Sequence, residues 1–146
     1  MKNLVYLGLA GLLLTACGKS TPEPEAKTSS LLADCKVVAS DPEAKDSFDD
    51  AGIDANGFCD CMVKVVEAAP EPNKAQMTLT LSKVAAGMTE SGEGAEEVVG
   101  AMMGDIMLAG EEDAEGQDLS AGIRLVGSAI DDITNSYEDT GTCPAS

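Results

Sequence analysis

Apolar residues along this chain recur at intervals of three and four from Leu31 to Tyr137, the spacing that lines one face of an α-helix. Leu31, Leu32, Cys35 and Val38 share a face in a first segment, Leu31 to Ala39. Asp41-Pro42 then offers an N-cap and an N1 proline for a short helix that Gly52 ends. A helix from about Asn56 to Ala69 stops before Pro70, with Phe58, Met62, Val65 and Ala69 opposite Asp60, Lys64 and Glu67. The next, about Asn73 to Met88, aligns Met77, Leu81, Val84, Ala85 and Met88. Gly92 and Gly94 separate it from Ala95 to Ala109, which carries Val98, Val99, Met102, Met103, Ile106 and Met107 and has Gly110 where a C′ glycine belongs.

An acidic loop, GEEDAEGQD, precedes the strongest pattern. From about Asp118 to Tyr137, the residues Leu119, Ile123, Val126, Ile130, Ile133 and Tyr137 step by alternating fours and threes. That a/d spacing lays one seam against neighbouring helices. The β-branched residues fall on these stripes and do not alternate, so no strand is predicted. The expected fold is all-α: a small antiparallel helical bundle of about four to five helices.

The pattern is different at the N-terminus. Lys2 supplies a short positive region and Leu4 to Leu14 an apolar run, followed by the small residues Thr15 and Ala16 and then Cys17. The run is shorter than the roughly 20 residues needed to cross a bilayer core, so it reads as a signal peptide. Leu14-Thr15-Ala16-Cys17 resembles the lipobox of bacterial lipoprotein precursors. The resemblance implies that the Cys17 thiol receives a diacylglycerol, that the peptide before it is removed, and that the new amine is acylated with a fatty acid such as palmitate. Two or more chains, at about 0.8 kcal/mol per buried CH₂, make such an anchor stable. Gly18 in place of aspartate implies, by the sorting rule of Gram-negative lipoproteins, export to the outer membrane, with the chain facing the periplasm or the cell surface.

Residues 18–30, GKSTPEPEAKTSS, have the composition of a tether. The expected organisation is a signal peptide at 1–16, a lipidated cysteine and tether at 17–30, and a helical domain at 31–146.

Charge then narrows the partners. Nine basic residues face 26 acidic ones, for a net charge of −17. Such a surface repels nucleic acid and anionic headgroups, so no nucleic-acid partner is expected. The chain has no histidine and no tryptophan. That removes Ser-His-Asp and Cys-His nucleophile systems and histidine-ligated metals. The aromatic residues are Tyr6, Phe48, Phe58 and Tyr137, so the core must be built from Val, Leu, Ile, Met and Ala. No catalytic residue, cofactor or metal ligand is assigned.

With Cys17 lipidated, Cys35, Cys59, Cys61 and Cys143 remain. An even count in an exported domain predicts two disulfides. Residues two apart on a helix project about 200° apart, which disfavours a Cys59–Cys61 bond. Each of these two is expected to hold a different segment, one near Cys35 and one near Cys143, with the choice left open. The alternative chemistry is a Cys59-Asp60-Cys61 redox dithiol.

Other motifs are weaker. Asp50, Asp54, Asn56 and Gly57 suggest a calcium loop, but aligning Gly57 to its glycine puts Gly52 and Val63 where ligands are required. An Asx turn capping the next helix fits better. Glu111, Glu112, Asp113 and Glu115 are a solvated loop or a weak calcium site. Gly100 and Gly104 predict close packing of soluble helices. Met88, Met102, Met103 and Met107 are expected as core filling or, failing that, as an adaptable peptide or lipid groove. The functional expectation is a non-enzymatic envelope lipoprotein that binds a protein partner, with a thiol-disulfide protein or a weak calcium or lipid binder as alternatives.

Overall fold

The computed structural model of the protein describes residues 24–110 and 112–144. Cys17, Gly18, the whole signal region and the first part of the expected tether lie outside the described residues. Six helices follow in order: α1 (Pro24–Val38), α2 (Pro42–Asp50), α3 (Ala55–Ala68), α4 (Asn73–Ser91), α5 (Ala95–Ala109) and α6 (Ala114–Thr140). Among the described residues there is no strand, as the helical periodicity requires. The count is six, one for each periodic segment of the sequence and above the four to five expected for the bundle.

Two helix starts differ from expectation. Helix α1 begins at Pro24, so residues 24–30 are helical and not tether. Thr28 Oγ1 donates to Glu67 Oε1 at 2.9 Å, and Lys74 Nζ reaches the same carboxylate at 2.6 Å, tying this early turn to the end of α3 and the start of α4. Helix α6 begins inside the expected acidic loop, at Ala114, because Asp113 caps it by accepting from Gly116 N at 3.2 Å.

The other ends follow local chemistry. Asp41 caps α2 with Pro42 in the first turn. Asp54 caps α3 by accepting from Gly57 N at 2.8 Å, which is the Asx turn expected there. Gly92 and Gly141, with φ of 74° and 69°, end α4 and α6 in the left-handed region that favours glycine.

Helix α4 is central, packing against α1, α3, α5 and α6. Helices α1 and α3 run antiparallel, since Thr28 meets Glu67 while Cys35 meets Cys59. The main core joins Leu31 and Cys35 of α1, Phe58, Met62 and Val66 of α3, Met77 and Leu81 of α4, and Ala129 and Ile133 of α6. Phe48 and Phe58 stack there with ring centroids 4.0 Å apart, an arrangement that adds to simple burial. On α3 the buried stripe runs through Val66, with Val65 only half-buried.

The α6 seam also departs from the a/d expectation. Ile123 and Ile130 are half-buried, and the buried line runs through Gly116, Leu119, Gly122, Val126, Ala129 and Ile133. The reason lies at Gly122. A Cβ there would collide with the Gln76 carbonyl and the Thr80 hydroxyl of α4. The two helices approach backbone to backbone, and small residues occupy the line of contact. Thr80 Oγ1 is buried at this crossing with no hydrogen-bond partner among the described residues.

Candidate functional site

The cysteines pair as Cys35–Cys59 and Cys61–Cys143, with Cα–Cα separations of 5.7 and 5.6 Å. Cys59 and Cys61 are both fully buried and are not bonded to each other. One staples α1 to the first turns of α3, and the other ties the C-terminal segment beyond α6 to the same turns. Neither bond joins the two cysteines of Cys59-Asp60-Cys61 to each other.

The surface departs from ordinary soluble packing at α5. Of its fifteen residues only Val98 is buried. Met107 and Leu108 are 79% and 88% exposed, large values for side chains whose burial is worth about 1.5–3 kcal/mol each. Gly100 and Gly104, expected at a close helix contact, instead face open space with nothing within 4 Å of a built Cβ. The four methionines are not core filling either: Met88, Met102 and Met103 are half-buried and Met107 is exposed. Met62 and Met77 fill the core instead. Helix spacing alone did not reveal this, because α5 is apolar on nearly every side and only neighbouring elements decide which side is covered.

Two close approaches hold α5. A Cβ on Gly87 would stand 2.6 Å from Val98 Cγ1, so α4 offers a bare backbone patch to the one buried side chain of α5. At the N-terminus Gly94 provides no side-chain cap. Asp41 supplies one from a distance: Oδ2 accepts from Ala95 N at 2.9 Å while Oδ1 accepts from Glu43 N and Ala44 N at 2.9 and 3.2 Å. The Ala95 N–H holds the Asp41 carboxyl below the usual aspartate range, helped by the Ala44 and Glu43 N–H groups and opposed by burial.

A groove of about 500 Å³ runs between α4, α5 and the start of α6. Its apolar lining comes from Val98, Met102 and Ile106 of α5 and Leu119 of α6. Five carboxylates and one ammonium line it as well. The ammonium, Lys83, is paired with Glu115 at 2.9 Å, which raises the Lys83 pKa. Asp113 is occupied with capping α6. Glu90, Glu93 and Asp105 remain, all exposed and with no ion-pair partner among the described residues. The groove is therefore apolar within and acidic along its edges.

Between α1, α4, α6 and the start of α5 lies a smaller slot of about 290 Å³, lined almost wholly by apolar side chains such as Val38, Leu81, Val99 and Ile123. Among the described residues no group of three or more His, Cys, Asp or Glu could hold a metal ion. Of the residues weighed for calcium, Asp113 and Glu115 are occupied as a cap and an ion pair, and Glu111 lies outside the described residues. Among the described residues no helix is long and apolar enough to cross a membrane. Comparison of the chain with protein-family models, with curated proteins and with solved structures finds no match.

Proposed function

We propose that this chain is a non-enzymatic, membrane-anchored envelope lipoprotein whose antiparallel helical bundle binds a protein partner. The observation that carries this reading is α5. An apolar helix with Met107 and Leu108 turned outward, on a chain of net charge −17, is a surface awaiting a cover. The lipobox at Leu14–Cys17 supports attachment through lipid at Cys17, and Gly18 supports the outer membrane as its destination. Two disulfides suit an oxidising compartment. The bonding of Cys59 and Cys61 to separate segments favours stapling over dithiol exchange.

The test is a reversible cross-link in intact cells, followed by purification of the tagged lipoprotein. One envelope protein recovered near stoichiometry is expected. Recovery of only scattered abundant proteins would reject the partner reading. Metabolic labelling with a fatty-acid analogue, lost in Cys17→Ser, tests the anchor separately.

A further inference from the structure

We infer that the groove between α4, α5 and the start of α6 receives a basic amphipathic helix presented by the partner; this inference deepens the partner-binding reading and rests on it. Met102 and Ile106, four residues apart and half-buried, form an apolar line on the groove wall, continued inward by the buried Val98 of α5 and Leu119 of α6. A line of this kind accepts the i, i+4 ridge of a docked helix, and the thioether of Met102 can repack around its side chains. Fifteen residues give α5 a length of about 22 Å, enough for roughly four turns of such a helix.

The edges select the sign of charge. Glu90 and Glu93 stand on the α4 side and Asp105 on the α5 side, without ammonium partners. Neither α4 nor α5 has a basic residue in its last turn, so the negative ends of both helix dipoles are uncompensated where they border the groove. Lysine or arginine flanking the apolar face of an incoming helix would meet these charges on both sides. A second copy of this chain would bring its own net charge of −17 to the same acidic edges, which opposes self-association there. An acyl chain would leave the carboxylates unused and fits the smaller apolar slot at the start of α5 better.

The experiment uses the purified, oxidised chain and a labelled 18-residue peptide of leucine and lysine with leucine at helical spacing, followed by fluorescence anisotropy. Two controls accompany it: the same pattern with glutamate for lysine, and the lysine peptide with its order scrambled. Saturable binding of the patterned lysine peptide, weakening as salt is added, is expected. The scrambled peptide should bind at least tenfold more weakly, and the glutamate peptide should not bind. Ala101→Arg, at an exposed position on the groove wall, and Met102→Gln should each weaken binding at least tenfold at unchanged helicity. Glu138→Lys, outside the groove, should not. Equal binding of patterned and scrambled peptides, or equal loss in Glu138→Lys, would show diffuse attraction to an acidic surface and overturn the inference. In cells, a partner cross-linked equally well by Ala101→Arg places the interface elsewhere, overturning the groove while the partner reading stands. Groove-dependent peptide binding with no envelope protein recovered removes the partner reading and leaves the ligand class of the groove in place.

Discussion

Asp41 Oδ2 accepts the backbone N–H of Ala95, 54 residues further along the chain, at 2.9 Å. One carboxylate thus caps the helix that follows it and also α5, one wall of the candidate groove. Asp41 is only 7% exposed, and its removal leaves three backbone N–H groups, of Glu43, Ala44 and Ala95, without this acceptor.

Replacing Asp41 therefore has a graded consequence. An N-cap is worth about 0.5–2 kcal/mol, so Asp41→Ala, which removes two, is expected to lower stability by about 2–3 kcal/mol. Asparagine has one acceptor oxygen and can serve only one of the two helices, so Asp41→Asn should lose roughly half as much. Urea unfolding measures both, and hydrogen exchange at Ala95–Val98 should accelerate most. Wild-type stability in Asp41→Asn would show that the second cap contributes nothing.

The same carboxylate sets a pH dependence. Its folded-state pKa lies below the ordinary aspartate value, so its contribution is fully present above about pH 3.9 and lost as pH falls through the lower folded-state value. The stability gap between wild type and Asp41→Ala should accordingly be constant near neutrality and shrink in acid. A gap that stayed unchanged down to about pH 2 would contradict the depressed pKa.

Two glycines on α6 should respond to alanine with opposite sign. At Gly122 the new methyl meets the Gln76 carbonyl and Thr80 hydroxyl, and prising the helices apart should cost about 1–3 kcal/mol or more. At Gly127 nothing lies within 4 Å, so alanine should stabilise the helix by about 0.5–1 kcal/mol. Thermal melts of the two variants decide it.

Thr80→Val tests the crossing from the other side. The hydroxyl is buried without a partner among the described residues, and a group in that state costs about 1–3 kcal/mol. The valine variant is expected to be at least as stable as wild type. A clear loss in its denaturation midpoint would reveal a bond to Thr80 Oγ1 that the isolated chain does not make.

Connectivity of the disulfides can be read by alkylation. Cys59→Ser should free the Cys35 thiol and leave Cys143 oxidised; Cys61→Ser should do the reverse. In the chain-entropy account, loops closed over separations of 24 and 82 residues contribute about 3.5 and 4.6 kcal/mol, so removal of the second bond should lower the melting temperature more. The opposite order would point to a constraint other than loop length.

Much of this architecture is written in local chemistry. The sequence by itself determined an all-helical chain, because spacings of three and four, Asp41-Pro42, the Asp54 turn and the glycines after α4 and α5 act within a few residues of themselves. It also disfavoured a Cys59–Cys61 bond, since a helix turns them to different sides. Helix starts hidden in polar stretches were less legible: no large apolar residue marks 24–30 or 114–118, and only Thr28 bonding to Glu67 and Asp113 bonding to Gly116 reveal why they are helical.

Tertiary structure alone decided which cysteine meets which, because both choices were open to a helical wheel. It also decided the glycines. Gly122, which the heptad seam does not mark, meets the α4 backbone closely, whereas Gly100 and Gly104 had the spacing of a contact and face open space. Above all it decided α5. Periodicity identifies a buried face by contrast with a polar one, and a helix apolar on nearly all sides offers no contrast. Only the placement of α4, α6 and Asp41 around it settles that Val98 is covered while Met107 and Leu108 stand exposed.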